Sequence, residues 1–464
     1  MKTKLSKTPR GRLVALAALF LAWAGSGMAQ MAMHMIDGLP GPTFTLTAKD
    51  GYISTADGNS VYFWGYANGA GDPQYVGPTL IVNQGQTVTV TLKNELPVPT
   101  SIVFPGQANV TTSGGASGLI TREAPAKIGT GLAGTVTYSF VASQPGTYQY
   151  HSGTRPDLQL EMGLVGALIV RPTGLMMQAY THADSAFDQE YLFLLTEMDE
   201  NIHDALEVQV QAYKASAPAA VLNPVADMAA RYPVYWFING RTGPDTMLPA
   251  NASWLPAQPY DAMPMFSPGQ KVLMRVIGGG RDAHPFHHHG NHARIIARDG
   301  RLVQSGPTAG ADLSQMVFTI QSTPGGTIDA LYSWTGEKLG WDAYGHQSDV
   351  DNPPLGWSTG GAKSSQDVDW NGNGIYEATP PSPGEYAADH GKPFPVKLPI
   401  DQDLTFGQMF SGSPFLGNVG TLPPGEGGFN PGGFMFMWHS HNEKEIINNN
   451  IFPGGMLTMA LVIP

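Results

Sequence analysis

The chain contains no cysteine. That absence excludes disulfides and any thiolate ligand to a metal, although it says nothing against export from the cell. Charge is also scarce: 13% of residues are Asp, Glu, Lys or Arg, and 25 basic against 37 acidic side chains leave a formal net charge of −12. Nucleic acid and anionic membrane surfaces both require a basic face, so neither is expected as a partner. Beyond the N-terminal region no apolar run is long enough for a membrane span. The sequence also lacks a G-x-S-x-G elbow, a phosphate-cradling G-x-x-x-x-G-K and a C-x-x-C pair.

What the chain has instead is glycine and proline, 57 and 38 of them in 464 residues, punctuating short β-rich runs. The N-terminus carries Lys2, Lys4, Lys7, Arg10 and Arg12, an apolar run from Leu13 to Trp23, and then Gly25, Ser26, Gly27 and Ala29. A basic start, a short apolar centre and small residues before a cut predict a secretory signal over residues 1–29, and hence a periplasmic or extracellular protein. Met31, Met33, His34 and Met35 follow, soft groups suited to copper(I) but equally at home in an inert terminus.

From Phe44 onward the cadence is that of an all-β sandwich. Two stretches recur. Pro78 to Leu92 is an apolar strand, a turn at Gly85 and strict alternation, and Phe266 to Val276 repeats it. Pro145-Gly-Thr-Tyr-Gln-Tyr-His-Ser-Gly153 leads to Gly163–Val170, just as Gly433-Phe-Met-Phe-Met-Trp-His-Ser-His441 leads to Met456–Ile463. His151 therefore corresponds to His439, and Gly153 to His441. A unit occurring twice in the same order predicts two related domains, 30–172 and 185–464, joined by a linker at 173–184. The second domain is too long for one sandwich, and residues 334–429, rich in Gly, Pro, Asp, Asn and Trp, read as a long loop insertion. Within it Asp367, Asp369, Asn371 and Asn373 alternate before Gly374 and Glu377, an arrangement that fits a calcium loop but lacks the glutamate at position twelve.

Histidines carry the chemistry. In His284-Pro-Phe-His287-His288-His289-Gly290 an extended backbone puts His287 and His289 on one face and His288 on the other, so the pair supplies half a metal site. His439-Ser440-His441 supplies a second such pair. Glu197, Asp199, Glu200 and His203 form a further polar group, read as capping a strand end.

With Tyr150-His151-Ser152-Gly153, these segments resemble those of the multicopper oxidases, over nearly the whole mature chain. The resemblance implies two cupredoxin-like Greek-key β-sandwich domains and copper held by histidines, with small molecules or metal ions as substrates. In two-domain relatives the cluster lies between neighbouring subunits, which implies a homo-oligomer, most simply a trimer. Carried over residue by residue, His287 matches a ligand of the type 2 copper, and His151, His289, His439 and His441 match ligands of the paired type 3 coppers. The departures are equally specific. Ser440 stands where the blue-copper cysteine would be, so His284, Ser440 and Met456 mark a vestigial type 1 position, and the place of its second histidine falls near Glu445. Val103 and Pro105 replace the first histidine pair, and Gly153 half of the second.

Two functional classes follow. One is an exported oxidoreductase working through a reduced histidine site that holds one or two copper ions, or zinc, without blue copper. The other is a non-catalytic copper-binding or structural protein on the same fold.

Overall fold

The alternation in Thr87–Asn94 is that of a strand with one buried face: Val88, Val90 and Leu92 point into a core while the threonines between them are partly exposed. The computed structural model describes residues 33–216, 218–267, 269–334 and 434–463, together with the short strands Asp367–Val368, Glu377–Ala378, Thr405–Phe406 and Met409–Phe410. The expected export signal and most of the 334–429 insertion, including Asp369, Asn371 and Asn373 of the calcium candidate, lie outside the described residues.

Two β-sandwiches are present. In the first, β1 (Thr43–Ser54), β2 (Ser60–Asn68), β3 (Gly77–Asn83), β4 (Thr87–Asn94), β5 (Gly134–Val141), β6 (Gly146–His151) and β7 (Val165–Arg171) form two sheets, ordered β2-β1-β4-β5 and β3-β7-β6. In the second, the strands are β8 (Gln189–Met198), β9 (Tyr235–Ile238), β10 (Met265–Phe266), β11 (Val272–Gly278), β12 (His284–His288), β13 (Ala293–Arg298), β14 (Thr319–Ser322), β15 (Thr327–Tyr332), β16 (Phe434–Ser440) and β17 (Leu457–Val462). Their sheets run β9-β8-β11-β15-β13 and β10-β17-β16-β12-β14.

The repeated sequence units occupy the same places in both sandwiches. β1 runs parallel to β4 as β8 does to β11, and β3 runs parallel to β7 as β10 does to β17. His151 lies opposite Val165 at the end of its hairpin, as His439 lies opposite Leu457.

The ten residues of β8 are buried on both faces, which explains its near-continuous apolar run. Tyr191, Phe193 and Leu195 enter the second core. Leu192 and Leu194 pack with Tyr235, Phe237 and Ile277 against Phe63, Tyr75, Val165, Ala167 and Ile169 of the first sandwich. Buried charge ties the same interface: Arg275 bonds Glu190 at 2.7 Å and Thr147 at 2.8 Å, and Tyr180, in the expected linker, donates to Asp329 at 2.6 Å.

One helix was not foreseen by the all-β reading. Helix α1, Glu200–Ala215, starts at Asp199, whose side chain accepts from Asn201 N at 3.0 Å. It lays Ile202, Leu206 and Val210, spaced by four, on the core of the first sandwich. Asp199 thus caps a helix rather than only ending a strand. His203 is buried between the carbonyls of Tyr62 and Glu161, at 2.5 and 3.0 Å, and is not part of a metal site.

Candidate metal centre

β12 and β16 pair antiparallel with His287 opposite His439 and Phe286 opposite Ser440. Residues directly opposite each other share a face, so His287, His289, His439 and His441 rise from one side of the pair while Phe286, His288 and Trp438 enter the core on the other. Two further backbone bonds fix the ends: His289 N to Met437 O at 3.1 Å and His441 N to Pro285 O at 2.8 Å.

The four rings form a cluster. Centroids of His287 lie 4.9 Å from His289, 5.5 Å from His439 and 4.9 Å from His441; His289 and His439 are 5.3 Å apart. The ligand nitrogens of His287, His289 and His439 all fall within 4.8 Å of one another. Nε2 of His289 and Nε2 of His439 are separated by 3.3 Å. Two nitrogens bound to one tetrahedral ion at about 2.0–2.1 Å lie about 3.3 Å apart, so this spacing is the one a shared ion requires.

Which nitrogen each ring presents is set by what holds the other. Nδ1 of His439 bonds the Ser440 carbonyl at 2.7 Å, Nδ1 of His287 bonds Thr319 Oγ1 at 2.9 Å, and Nδ1 of His441 faces Glu443 Oε1 at 3.1 Å. Rings oriented in this way present Nε2 as the ligand atom. Burial, then the charges of neighbouring histidines, depress the His289 pKa to about 4 and also lower those of His287 and His439. All three are therefore neutral at neutral pH, the form that binds a metal.

His151 is not in this group within one chain. It sits on the first sandwich, bridged to Val103, with Nδ1 on the Ser152 carbonyl at 2.9 Å, the same local arrangement as His439. Beside it Val103 and Gly153 pack together: a Cβ added at Gly153 would meet Val103 Cγ1 at 2.7 Å. Valine has filled the room that a side chain at 153 would need.

The expected vestigial type 1 position is not an empty one. Both nitrogens of His284 are taken, Nδ1 by Glu445 Oε2 at 2.8 Å and Nε2 by Glu197 Oε2 at 2.9 Å, and Ser440 Oγ donates to Glu445 Oε2 at 2.5 Å. Glu197 also accepts from Arg231 at 2.6 Å and from the backbone of Arg281 and Asp282; Arg231 continues to Glu161 of the first sandwich. Burial works against charge on His284, but the bonds and charges of Glu197 and Glu445 outweigh it and raise the pKa to about 9. Met456 is fully buried nearby, its N–H on the Glu445 carbonyl at 2.8 Å. The carboxylates lie on opposite sides of one imidazole, so they cannot share an ion with it. A copper site does not fit here, and the missing thiolate is one of several reasons.

Sequence reasoning missed Glu197 and Arg231 as partners of this position. The available signal was a carboxylate inside the apolar run of β8. His34 proved to be a fastener: its ring stacks on Tyr191 at 4.1 Å and its Nδ1 donates to the Glu190 carbonyl at 2.8 Å, while Met33 is exposed.

The multicopper oxidase family model matches residues 47–174. Residues 47–174 therefore carry a multicopper oxidase domain. The chain is 33% identical over 132 residues to copper resistance protein A of Escherichia coli, covering 28% of this chain and 19% of that protein. It is 26% identical over 260 residues, 53% of this chain and 25% of the other, to a probable nitrite reductase-hydroxylamine oxidoreductase fusion protein of Kuenenia stuttgartiensis. The chain thus matches only about a fifth to a quarter of the length of these relatives. A blue copper oxidase from Nitrosomonas europaea shares the fold, with a TM-score of 0.50 and 17% identity over 90% of this chain and 85% of that one. No helix among the described residues is long and apolar enough to cross a membrane.

Proposed function

We propose that this chain is an exported, copper-dependent oxidoreductase of the multicopper oxidase type whose histidine cluster works without a blue-copper relay. The observation that carries this reading is the 3.3 Å separation of two Nε2 atoms, with the neighbouring rings turned to present theirs. His287, His289 and His439 would hold the ion and His441 stands beside it; zinc is the competing ion. Copper, when bound, supplies one-electron exchange. The chain's residues do the rest: Thr319, the Ser440 carbonyl and Glu443 hold Nδ1 of His287, His439 and His441, so the lone pairs of these rings converge with that of His289.

Among the described residues the cluster lies open on its outer side. His289 is exposed, His441 keeps 54% of its side chain in solvent, and Phe318, 6.0 Å from the His287 ring, is 60% exposed. We propose that a second copy of the chain covers this face and brings its own His151 to the cluster, in a cyclic trimer. Small molecules or metal ions would be the electron donors.

A non-catalytic, copper-holding role is the second reading, favoured by the filled type 1 position and by the packing of Val103 against Gly153. Calcium at Asp367, Asp369, Asn371, Asn373 and Glu377 is a separate proposal, answered by the same metal analysis.

Copper titration of the purified mature protein tests the main reading. Stoichiometric uptake, no intense visible band, a trimer in sedimentation and oxygen consumption with small donors are expected. Uptake without turnover selects the second reading. An intense band toward the red, or a monomer at working concentration, contradicts the site or the assembly respectively.

A further inference from the structure

Along residues 439–442 the side chains alternate between two tasks. His439 and His441 face the metal cluster, whereas Ser440 and Asn442 turn to a single carboxylate on the opposite side. Glu445 Oε2 accepts from Ser440 Oγ at 2.5 Å, and Oε1 accepts from Asn442 Nδ2 at 2.8 Å. The turn closes on itself through Asn442 N to Ser440 Oγ at 3.2 Å and Glu445 N to Asn442 O at 2.8 Å. Glu445 is 3% exposed and Ser440 fully buried, so water does not compete for these bonds. The carboxylate is anchored by His284, which Glu197 and Arg231 tie to Glu161 in the first sandwich.

We propose that Ser440 and Glu445 form a clamp that positions the imidazoles of His439 and His441, and that the former type 1 position serves this purpose instead of holding copper. The inference rests on the reading of the histidine cluster as a metal site. Neither residue reaches the metal; both act through the backbone that carries its ligands. A clamp made of one hydroxyl and one carboxylate fails as a unit, so losing either member loses the whole.

The test uses Ser440→Ala and Glu445→Gln, singly and together, in the full mature protein. Each single variant is expected to weaken copper binding at the cluster by about tenfold or more, as removal of a partner behind a ligand does elsewhere. The double variant is expected to be no weaker than the worse single one. Copper hyperfine splitting in electron paramagnetic resonance should shift in each variant at temperatures where circular dichroism reports an intact fold, a readout that lost stability alone does not move. Ser440→Cys is the companion variant: with His284 engaged on both nitrogens and Glu445 in place of a second imidazole, it should bring no intense blue band. Absence of copper binding by the parent protein would overturn the metal reading and the clamp with it. A loaded parent with unchanged affinity and spectrum in Glu445→Gln, or a blue Ser440→Cys, would overturn the clamp alone.

Discussion

Replacing His287 and His289 together by alanine is expected to abolish stoichiometric metal binding and to leave both sandwiches folded. The two residues supply two of the three nitrogens that lie within 4.8 Å of one another, and a single remaining imidazole from that group cannot retain an ion. The fold should tolerate the change, because His287 is only half-buried and His289 is exposed, and substitutions at such places cost within about 0.5 kcal/mol. His288→Ala separates face from composition. Its ring is 2% exposed and accepts from Ala293 N at 3.0 Å, so its removal keeps the metal but costs about 1–3 kcal/mol for the unpaired amide. Metal analysis beside thermal melts reads both effects. Unchanged metal content in the double variant would mean that the cluster has decayed.

The second large effect is on stability. His284→Ala leaves Glu197 and Glu445 buried without the cation between them, and breaking a buried charge pair from one side costs about 3–5 kcal/mol. The same linkage sets a pH dependence. His284 is raised in the folded state from 6.5 to about 9, so the folded state binds its proton more tightly than the unfolded chain. Its stabilisation is complete below pH 6.5 and is lost as the pH rises through 9, a change worth roughly 3 kcal/mol. The parent protein should melt at a lower temperature above pH 9 than at pH 6.5, and His284→Ala should flatten that limb. A melting temperature independent of pH across this window would remove the charge from His284.

How much of this was legible in the sequence depends on the distance over which each feature is encoded. The shared face of His287 and His289 is a local property of an extended chain, and the pairing of His439 with His287 completes it. The doubling of the sandwich was legible because His151 and His439 end the same hairpin in the same register. The filling of the type 1 position was not, because His284 meets Glu197 across 87 residues and Glu445 across 161, and only the closed sandwich brings the three together. Asp199 and α1 show a local ambiguity: the acidic residues do follow the end of β8 at Met198, but Ile202, Leu206 and Val210 beyond them carry the helical spacing that the all-β cadence hides. His151 ends the hairpin of the first sandwich, apart from the cluster of the second, and its proposed approach to the cluster of a neighbouring copy is not written in the local pattern of either segment.

The most direct measurement is anomalous scattering at the copper edge from crystals of the copper-loaded protein. A peak is expected among Nε2 of His287, His289 and His439, with none between His284, Ser440 and Met456. A peak at the latter position, or no peak among the histidines, would contradict the account.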